Sequence, residues 1–409
     1  MYLCSSEDCT GCMACVNTCS QNAIGIRNSE EGFQQPIIKN ELCVNCGLCN
    51  KVCPVVQPQC REQFDFLQYG YACWAKDEEI RRNSSSGGLF TVLAEKIIEK
   101  EGIVYGAAFD ADFRVKHIGV EKKEDLELLR RSKYVQSDIG HIFKDIKATL
   151  KNGRLVYFVG TPCQVAGLKS FLGKKKYSNL ITSDFVCHGV PSPAVFEAYK
   201  DWLKKTHDAK ITSFSFRDKH KSWLWFNFRV EFENSNTYIG KWHEDPYLRI
   251  FLADNVLRNS CYTCFYTNME RISDITIADF WGYKAHMKKE KNDDKGISLA
   301  LINSEKGEEL FNSAKSSLFS FKRTKEEIAK SQKSLSSAWD KPTVRDEFWT
   351  DFKEMSFDVF IDKWAKPRKR NLSQWIISEY GKNTFTSMVV WIYNKYDGLK
   401  RRINLIWKR

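Results

Sequence analysis

Cys9-Thr-Gly-Cys12-Met-Ala-Cys15-Val-Asn-Thr-Cys19 and Cys43-Val-Asn-Cys46-Gly-Leu-Cys49-Asn-Lys-Val-Cys53 write one cysteine pattern twice, 34 residues apart. The spacing C-x2-C-x2-C-x3-C is that of 4Fe-4S ligation, in which the fourth cysteine of each run serves the other run's cluster. Three thiolates two residues apart on one tight loop cradle one face of a cubane, and the fourth must come from elsewhere. The expected sets are therefore Cys9, Cys12, Cys15 and Cys53 for one cluster, and Cys43, Cys46, Cys49 and Cys19 for its neighbour. Pro54 follows Cys53 as in bacterial ferredoxins, whereas Ser20 follows Cys19. Zinc sites and disulfide frameworks call for other spacings. A chain that opens this way moves electrons.

The rest of the composition is that of a soluble globular protein. At 409 residues, 43% hydrophobic and 28% charged, the chain has material for two or three domains. The start, Met1-Tyr2-Leu3-Cys4, lacks the basic-then-apolar pattern of a signal peptide, and no run reaches the length of a membrane span. Fifteen cysteines, with thiolate-bound clusters among them, call for a reducing compartment, so a cytoplasmic protein is expected. The net charge of +12 is uneven: from Ile361 to Arg409 twelve Lys and Arg face three acids, which leaves +3 for everything before.

Between the cysteine runs, Ile24-Gly-Ile26 and Gly32 to Ile38 read as a short hairpin. Cys4 and Cys60 flank the module as bystander thiols. The polar stretch Gln57–Glu62 suggests a boundary, giving a ferredoxin domain over 1–62, a catalytic domain over 63–340 and a basic helical tail over 341–409. In the middle, β-rich runs at Ile103–Phe109, Arg154–Gly160 and Leu180–Cys187 alternate with helical periods. Gly87–Lys100 is one such period, and Ser192-Pro193 opens another that runs through Leu203. That alternation predicts an α/β fold on a mixed, largely parallel sheet. The aromatic tract Ile211–Phe232 reads as antiparallel. Cys73, without a spaced partner, reads as core.

Three features of the middle region carry chemistry. Strand-like Arg154–Gly160 runs into Thr161-Pro162-Cys163-Gln164, a capping box that sets Cys163 in a first helical turn, where the dipole favours a thiolate. Cys187-His188-Gly189 stands at the end of another strand, and Cys261-x2-Cys264 supplies two more thiols. In open α/β sheets ligands collect beyond the carboxyl ends of strands, so Cys163 and Cys187 can share one crevice. Together the four suit a third 4Fe-4S cluster or a zinc site, or they are simply buried thiols. Asn83-Ser84-Ser85-Ser86-Gly87-Gly88 before a helix suits a cofactor phosphate, or is a plain helix start. The chain has no G-x-G-x-x-G after a strand.

Taken in order, Ser85-Ser86-Gly87-Gly88, Gly160-Thr161-Pro162-Cys163-Gln164, Cys187-His188-Gly189-Val190-Pro191-Ser192, Cys261-x2-Cys264 and Ala278-Asp279-Phe280-Trp281-Gly282 resemble the coenzyme F-420 hydrogenase/dehydrogenase beta-subunit family, over roughly residues 1–330. The resemblance implies an iron–sulfur flavoprotein in which clusters feed a bound FAD and the flavin exchanges a hydride with a deazaflavin. Plant and cyanobacterial relatives reduce chlorophyll precursors. Where the family commonly has Gly-Asp-Phe-Trp-Gly, this chain has Ala278. A flavin also agrees with the clusters, since it converts single electrons to the pairs that organic substrates need.

The resulting expectation is an oxidoreductase passing electrons from clusters through FAD to a small organic acceptor, or else a non-catalytic electron-transfer subunit docked to a separate enzyme. Cofactor contacts are expected at Ser85, Ser86, Gly87, Gly88, Thr161 and Gln164. His188 is the candidate proton donor, with a hydrogen-bonded structural role as its alternative. Asp279 and Arg217-Asp218 are weaker candidates. Expected partners are a ferredoxin or a hydrogenase/dehydrogenase-type subunit, and no nucleic acid. The segments Asn371–Lys395 and Leu399–Arg409, which mix Trp with basic residues, suit an amphipathic helix on the inner face of a membrane, or a helix packed on the enzyme or a partner.

Overall fold

The computed structural model describes residues 3–58, 68–283, 287, 293–330, 332–366, 388–389 and 391. The N-terminal segment holds two short helices, α1 (Ala14–Thr18) and α2 (Leu48–Lys51), one in each cysteine run. Between them β1 (Ile24–Asn28) pairs antiparallel with β2 (Gln34–Ile38), Ile24 opposite Ile38. This is the hairpin expected from the sequence.

From residue 69 the chain builds a mixed sheet. Along it come β3 (Tyr69–Ala75), α3 (Glu78–Arg82), α4 (Leu89–Ile98), β4 (Ile103–Phe109), β5 (Val115–Val120), α5 (Leu126–Leu129), α6 (Ile142–Lys151), β6 (Val156–Gly160), α7 (Pro162–Leu172) and β7 (Leu180–Phe185). After α8 (Pro193–His207), strands β8 (Ile211–Asp218), β9 (Asn227–Phe232) and β10 (Thr237–Lys241) form a separate antiparallel sheet. Then follow α9 (Pro246–Leu252), β11 (Ile275–Asp279), β12 (Ser298–Ile302), a helix over Glu305–Ala314 and β13 (Leu318–Arg323). The strand order is β13-β3-β12-β11-β7-β6-β4-β5. The four strands β11, β7, β6 and β4 run parallel in the middle, and antiparallel strands complete both flanks. The fold is α/β.

Strand alternation sends each residue set to its own face. On β12, Ala300 and Ile302 join α4 and the Glu305–Ala314 helix in one core, whereas Leu299 and Leu301 pack with Trp223 and Phe280 in another. On β6, Tyr157 faces the first of these cores, and Val156 and Phe158 face α6 and α7. A parallel sheet needs this cover on both faces. Helix α8 starts where the sequence indicates: the Ser192 hydroxyl accepts from the N–H groups of Ala194 and Val195, and Pro193 takes the first turn. Its buried Val195, Phe196, Tyr199 and Leu203 pack on Phe214, Phe216 and Phe228 of the small sheet. Each such side chain contributes about 2 kcal/mol of apolar burial.

The N-terminal segment is not a bead on a linker. Cys12, Met13, Ala14, Val16 and Ile24 share a core with Phe143, Ile146, Val165 and Leu168. Buried Arg258 donates to Cys9 O at 2.5 Å and to Gln34 O at 3.0 Å, and Asn17 Nδ2 donates to Gly140 O at 2.9 Å. Most of the expected boundary, with Cys60, lies outside the described residues. At the other end, the helices Arg345–Glu354 and Phe357–Trp364 bury Phe348, Trp349 and Phe360 in the α8 core, so residues 345–364 belong to the packed body. The segments expected to be amphipathic, 371–395 and 399–409, fall outside the described residues except for Met388, Val389 and Trp391. No helix among the described residues is long and apolar enough to cross a membrane.

Candidate functional site

The cysteines gather into three groups. In the first, a small void is lined by Cys9, Cys12, Cys15 and Cys53, the four expected from the spacing, and also by Cys4. Gly11 in the loop has φ +69 and Met13 φ +60, left-handed turns that bring successive thiols inward. Burial pushes the Cys12 thiol up to about 12 and raises Cys15 further. Cys4 lies against both Cys9 and Cys53, and its proximity holds both thiols below the ordinary range.

In the second group Cys49 is raised by burial and then by Cys46 and Cys43, which stand beside it; Cys46 is exposed. The sulfur of Cys19, the expected fourth ligand, accepts from the Ala23 N–H at 3.3 Å. Leu42, Val44 and Leu48, interleaved with these cysteines along the chain, are exposed apolar side chains.

The third group joins the four central cysteines. The Cys187 thiol is raised by burial and then by Cys261, Cys163 and Cys264, and Cys261 by burial and then by Cys163 and Cys264. Val190 N–H donates to Cys261 Sγ at 3.4 Å. Buried Arg271 ties this loop to the strand end: it donates to Asp184 Oδ2 at 2.9 Å and to Tyr266 O at 2.6 Å. Thr161 and Gln164 close the expected capping box, yet burial outweighs the Thr161 hydroxyl's bond to Cys163 and pushes that thiol up to about 11. Tyr266 lies between the groups, since Cys163, Cys12, Cys264 and Cys53 all act on its buried phenol. Among the described residues, no three His, Cys, Asp or Glu side chains close around a single metal ion. The thiols are spread instead, around a void in the first group. Clustered soft sulfur donors fit iron–sulfur clusters.

Beside the third group opens a cavity of about 650 Å³. Cys163, Cys187 and His188 line it, together with Ser85, Ser86, Gly88, Thr161 and Gln164. It lies beyond the carboxyl ends of the parallel strands, at Gly160, Phe185 and Asp279. His188 Nε2 meets Asp254 Oδ1 at 2.5 Å, and its ring stands 4.3 Å from that of Trp339.

The serine–glycine stretch is wired into the fold. Ser85 O accepts from Arg217 and Ser86 O from Lys219. Ser85 Oγ accepts from Ser132 N at 2.8 Å, and Ser86 Oγ donates to Ile297 O at 2.9 Å. Gly87 differs from what a phosphate loop requires. Its N–H donates to Ser298 Oγ at 2.9 Å, and a Cβ there would meet Cys73 O at 2.6 Å and Ser298 N at 2.8 Å. Gly87 is a glycine because the sheet lies against it.

Several cavity residues were weakly marked in the sequence or not marked at all. Arg217, 4% exposed, is held by Asp279 at 3.1 Å and by Tyr134 Oη at 3.1 Å, and it lies over the Phe226 ring. Its Nε is buried without a partner among the described residues. Arg130, Arg131 and Lys133 add positive charge against the one acid, Asp279. The run Arg130-Arg-Ser-Lys133 was the available signal. Burial pulls Lys133 and Lys219 down to about 7. Trp281 lines the cavity and stacks on Trp223 at 5.0 Å. His117 donates through Nε2 to Val159 O (3.2 Å) and accepts from Ser137 Oγ (2.9 Å), which in turn accepts from Gln164 Nε2 (2.9 Å). Burial drops its pKa to about 4. A cationic, aromatic cavity with an orphaned guanidine N–H suits an anionic ring-bearing cofactor such as a flavin nucleotide.

Comparison with known proteins follows the same division. Residues 8–56 match the 4Fe-4S dicluster domain. Residues 70–144 match the N-terminal region of the beta subunit of coenzyme F420 hydrogenase/dehydrogenase, and residues 153–327 match the C-terminal region of that same subunit. No curated protein matches. Among solved structures, a chain of the xenon-derivatised F420-reducing [NiFe] hydrogenase complex from Methanosarcina barkeri is 17% identical, with a TM-score of 0.43. That alignment covers 72% of this chain and 88% of that one.

Proposed function

Because the chain belongs to the coenzyme F420 hydrogenase/dehydrogenase beta-subunit family and carries a 4Fe-4S dicluster domain, we propose that it relays electrons between these clusters and an organic acceptor, through a flavin, FAD, held in the cavity. One observation carries this reading. The four central thiols stand next to the first group of the dicluster domain on one side, and two of them, Cys163 and Cys187, line the cavity on the other. Clusters at the first and third groups would be neighbours, with the third against the cavity.

In this reading Cys163, Cys187, Cys261 and Cys264 hold a third 4Fe-4S cluster. Bound in the cavity, a flavin supplies the exchange of two one-electron steps for one two-electron transfer. The chain's own part is to bind, orient and keep out water. Arg131 and Arg217, which line the cavity, would take the anionic part of the ligand, and Asp279 and Tyr134 hold the Arg217 fork in place. His188 is held at Nε2 by Asp254, so a proton that it offers to a ligand, or takes from one, is at Nδ1. The exposed apolar side chains interleaved with the second group suit docking of a redox partner protein, which also serves the alternative of a subunit without chemistry of its own.

The deciding experiment uses the full chain, made anaerobically in a flavin-replete host. It should hold about twelve irons and release flavin into the supernatant on denaturation. Fully metallated protein without flavin would favour the docked conduit over the enzyme.

A further inference from the structure

We propose that Cys4 is a reserve ligand of the cluster held by Cys9, Cys12 and Cys15, able to take the corner assigned to Cys53. The proposal rests on the reading of that group as a 4Fe-4S site. A cubane takes four thiolates, yet five thiols line this void: Cys4, Cys9, Cys12, Cys15 and Cys53.

The local geometry places Cys4 there by design of the chain rather than by accident of a loose end. Cys9 N–H donates to Ser5 O at 3.0 Å, and Ser5 Oγ donates to Asp8 Oδ2 at 2.6 Å and accepts from Asp8 N at 3.0 Å. That turn fixes the distance along the chain between Cys4 and the first ligand. Cys9 is itself pinned from the far side, because Arg258 and Ser260 both donate to its carbonyl. Cys9, Cys12 and Cys15 belong to one short loop and have no freedom to exchange with one another. The fourth corner comes from a different part of the chain, and Cys53, which supplies it, lines the void together with Cys4.

Exchange at that corner needs no outside reagent. The Cys53 sulfur–iron bond breaks as a Cys4 sulfur–iron bond forms, and the Cys4 thiol proton passes to the departing Cys53 sulfur. No electron is gained or lost. A site with this option keeps its cluster through transient loss of one ligand.

The test uses full-length protein prepared anaerobically, with iron and acid-labile sulfide per chain and the EPR spectrum of the dithionite-reduced protein as readouts. Cys53→Ala should keep the wild-type iron content with an altered EPR signal, and Cys4→Ala/Cys53→Ala should lose about four irons. If Cys53→Ala loses the same four irons as the double variant while the remaining clusters stay, the proposal is overturned. Should Cys53→Ala not fold, Cys4→Ala decides. It should start with wild-type iron and spectrum and lose those four irons to a chelator several-fold faster than wild type. An unchanged rate, or iron already missing at the start, overturns the proposal. Wild-type protein with no cluster signal from the dicluster domain would overturn the cluster reading and this proposal together.

Discussion

Gly167 of α7 leaves no room for a side chain against Cys12: a Cβ there would lie 2.8 Å from Cys12 Cβ and 2.9 Å from Cys12 Sγ. One turn earlier on the same helix stands Cys163. The missing side chain thus brings the dicluster domain against the helix that carries the third thiol group. Gly167→Val should push the Cys12 loop outward and lower iron content by about four, with the second group's iron retained. Unchanged iron and an unchanged EPR signal would show that the loop has room to give.

Replacing Cys261 and Cys264 together by Ala tests the third group. Iron should fall by about four while the dicluster iron stays. Metal analysis that finds one zinc lost instead would replace the cluster with a zinc site.

The Arg217–Asp279 pair is nearly buried, with side chains 4% and 14% exposed. Removing one partner of such a pair leaves the other charge stranded. Arg217→Ala is therefore expected to destabilise the protein by roughly 3–5 kcal/mol, read as a lower thermal midpoint. Arg217→Lys keeps the charge but loses the fork that reaches Asp279, Tyr134 and Ser85 together, so an intermediate loss is expected.

His117 gives the fold a pH dependence of known sign. Its folded pKa, about 4, lies below the ordinary 6.5 because burial disfavours the charged ring. Between these values the unfolded chain binds the proton and the folded one does not, so stability is full above 6.5 and falls as pH drops toward 4. From pH 7 to 5 the loss from this group should be about 2 kcal/mol. In His117→Gln that part of the slope should vanish in denaturant titrations at the two pH values. An identical slope in the variant would mean that other groups carry it.

What the sequence determined by itself is local. The duplicated cysteine runs, the β1–β2 hairpin, the Thr161–Gln164 capping box and the Ser192-Pro193 helix start all rest on bonds between residues a few positions apart. Spacing alone therefore specifies them. The alternation of strand and helix likewise announced an α/β fold on a mixed, largely parallel sheet, because each strand's burial follows from its own residues.

Only the tertiary structure decided which distant groups meet. Arg258 reaches Cys9 across 249 positions, and Arg217 reaches Ser85 across 132. Such pairings depend on how sheet faces and helices pack, and no spacing rule encodes them. Gly87 shows the limit most clearly: in sequence it suits a phosphate loop, and in the fold its N–H belongs to Ser298 and its missing side chain to the sheet. Cys4 shows the converse. Outside the motif it looks idle, and packing of the chain's first turn carries it into the void that the motif encloses.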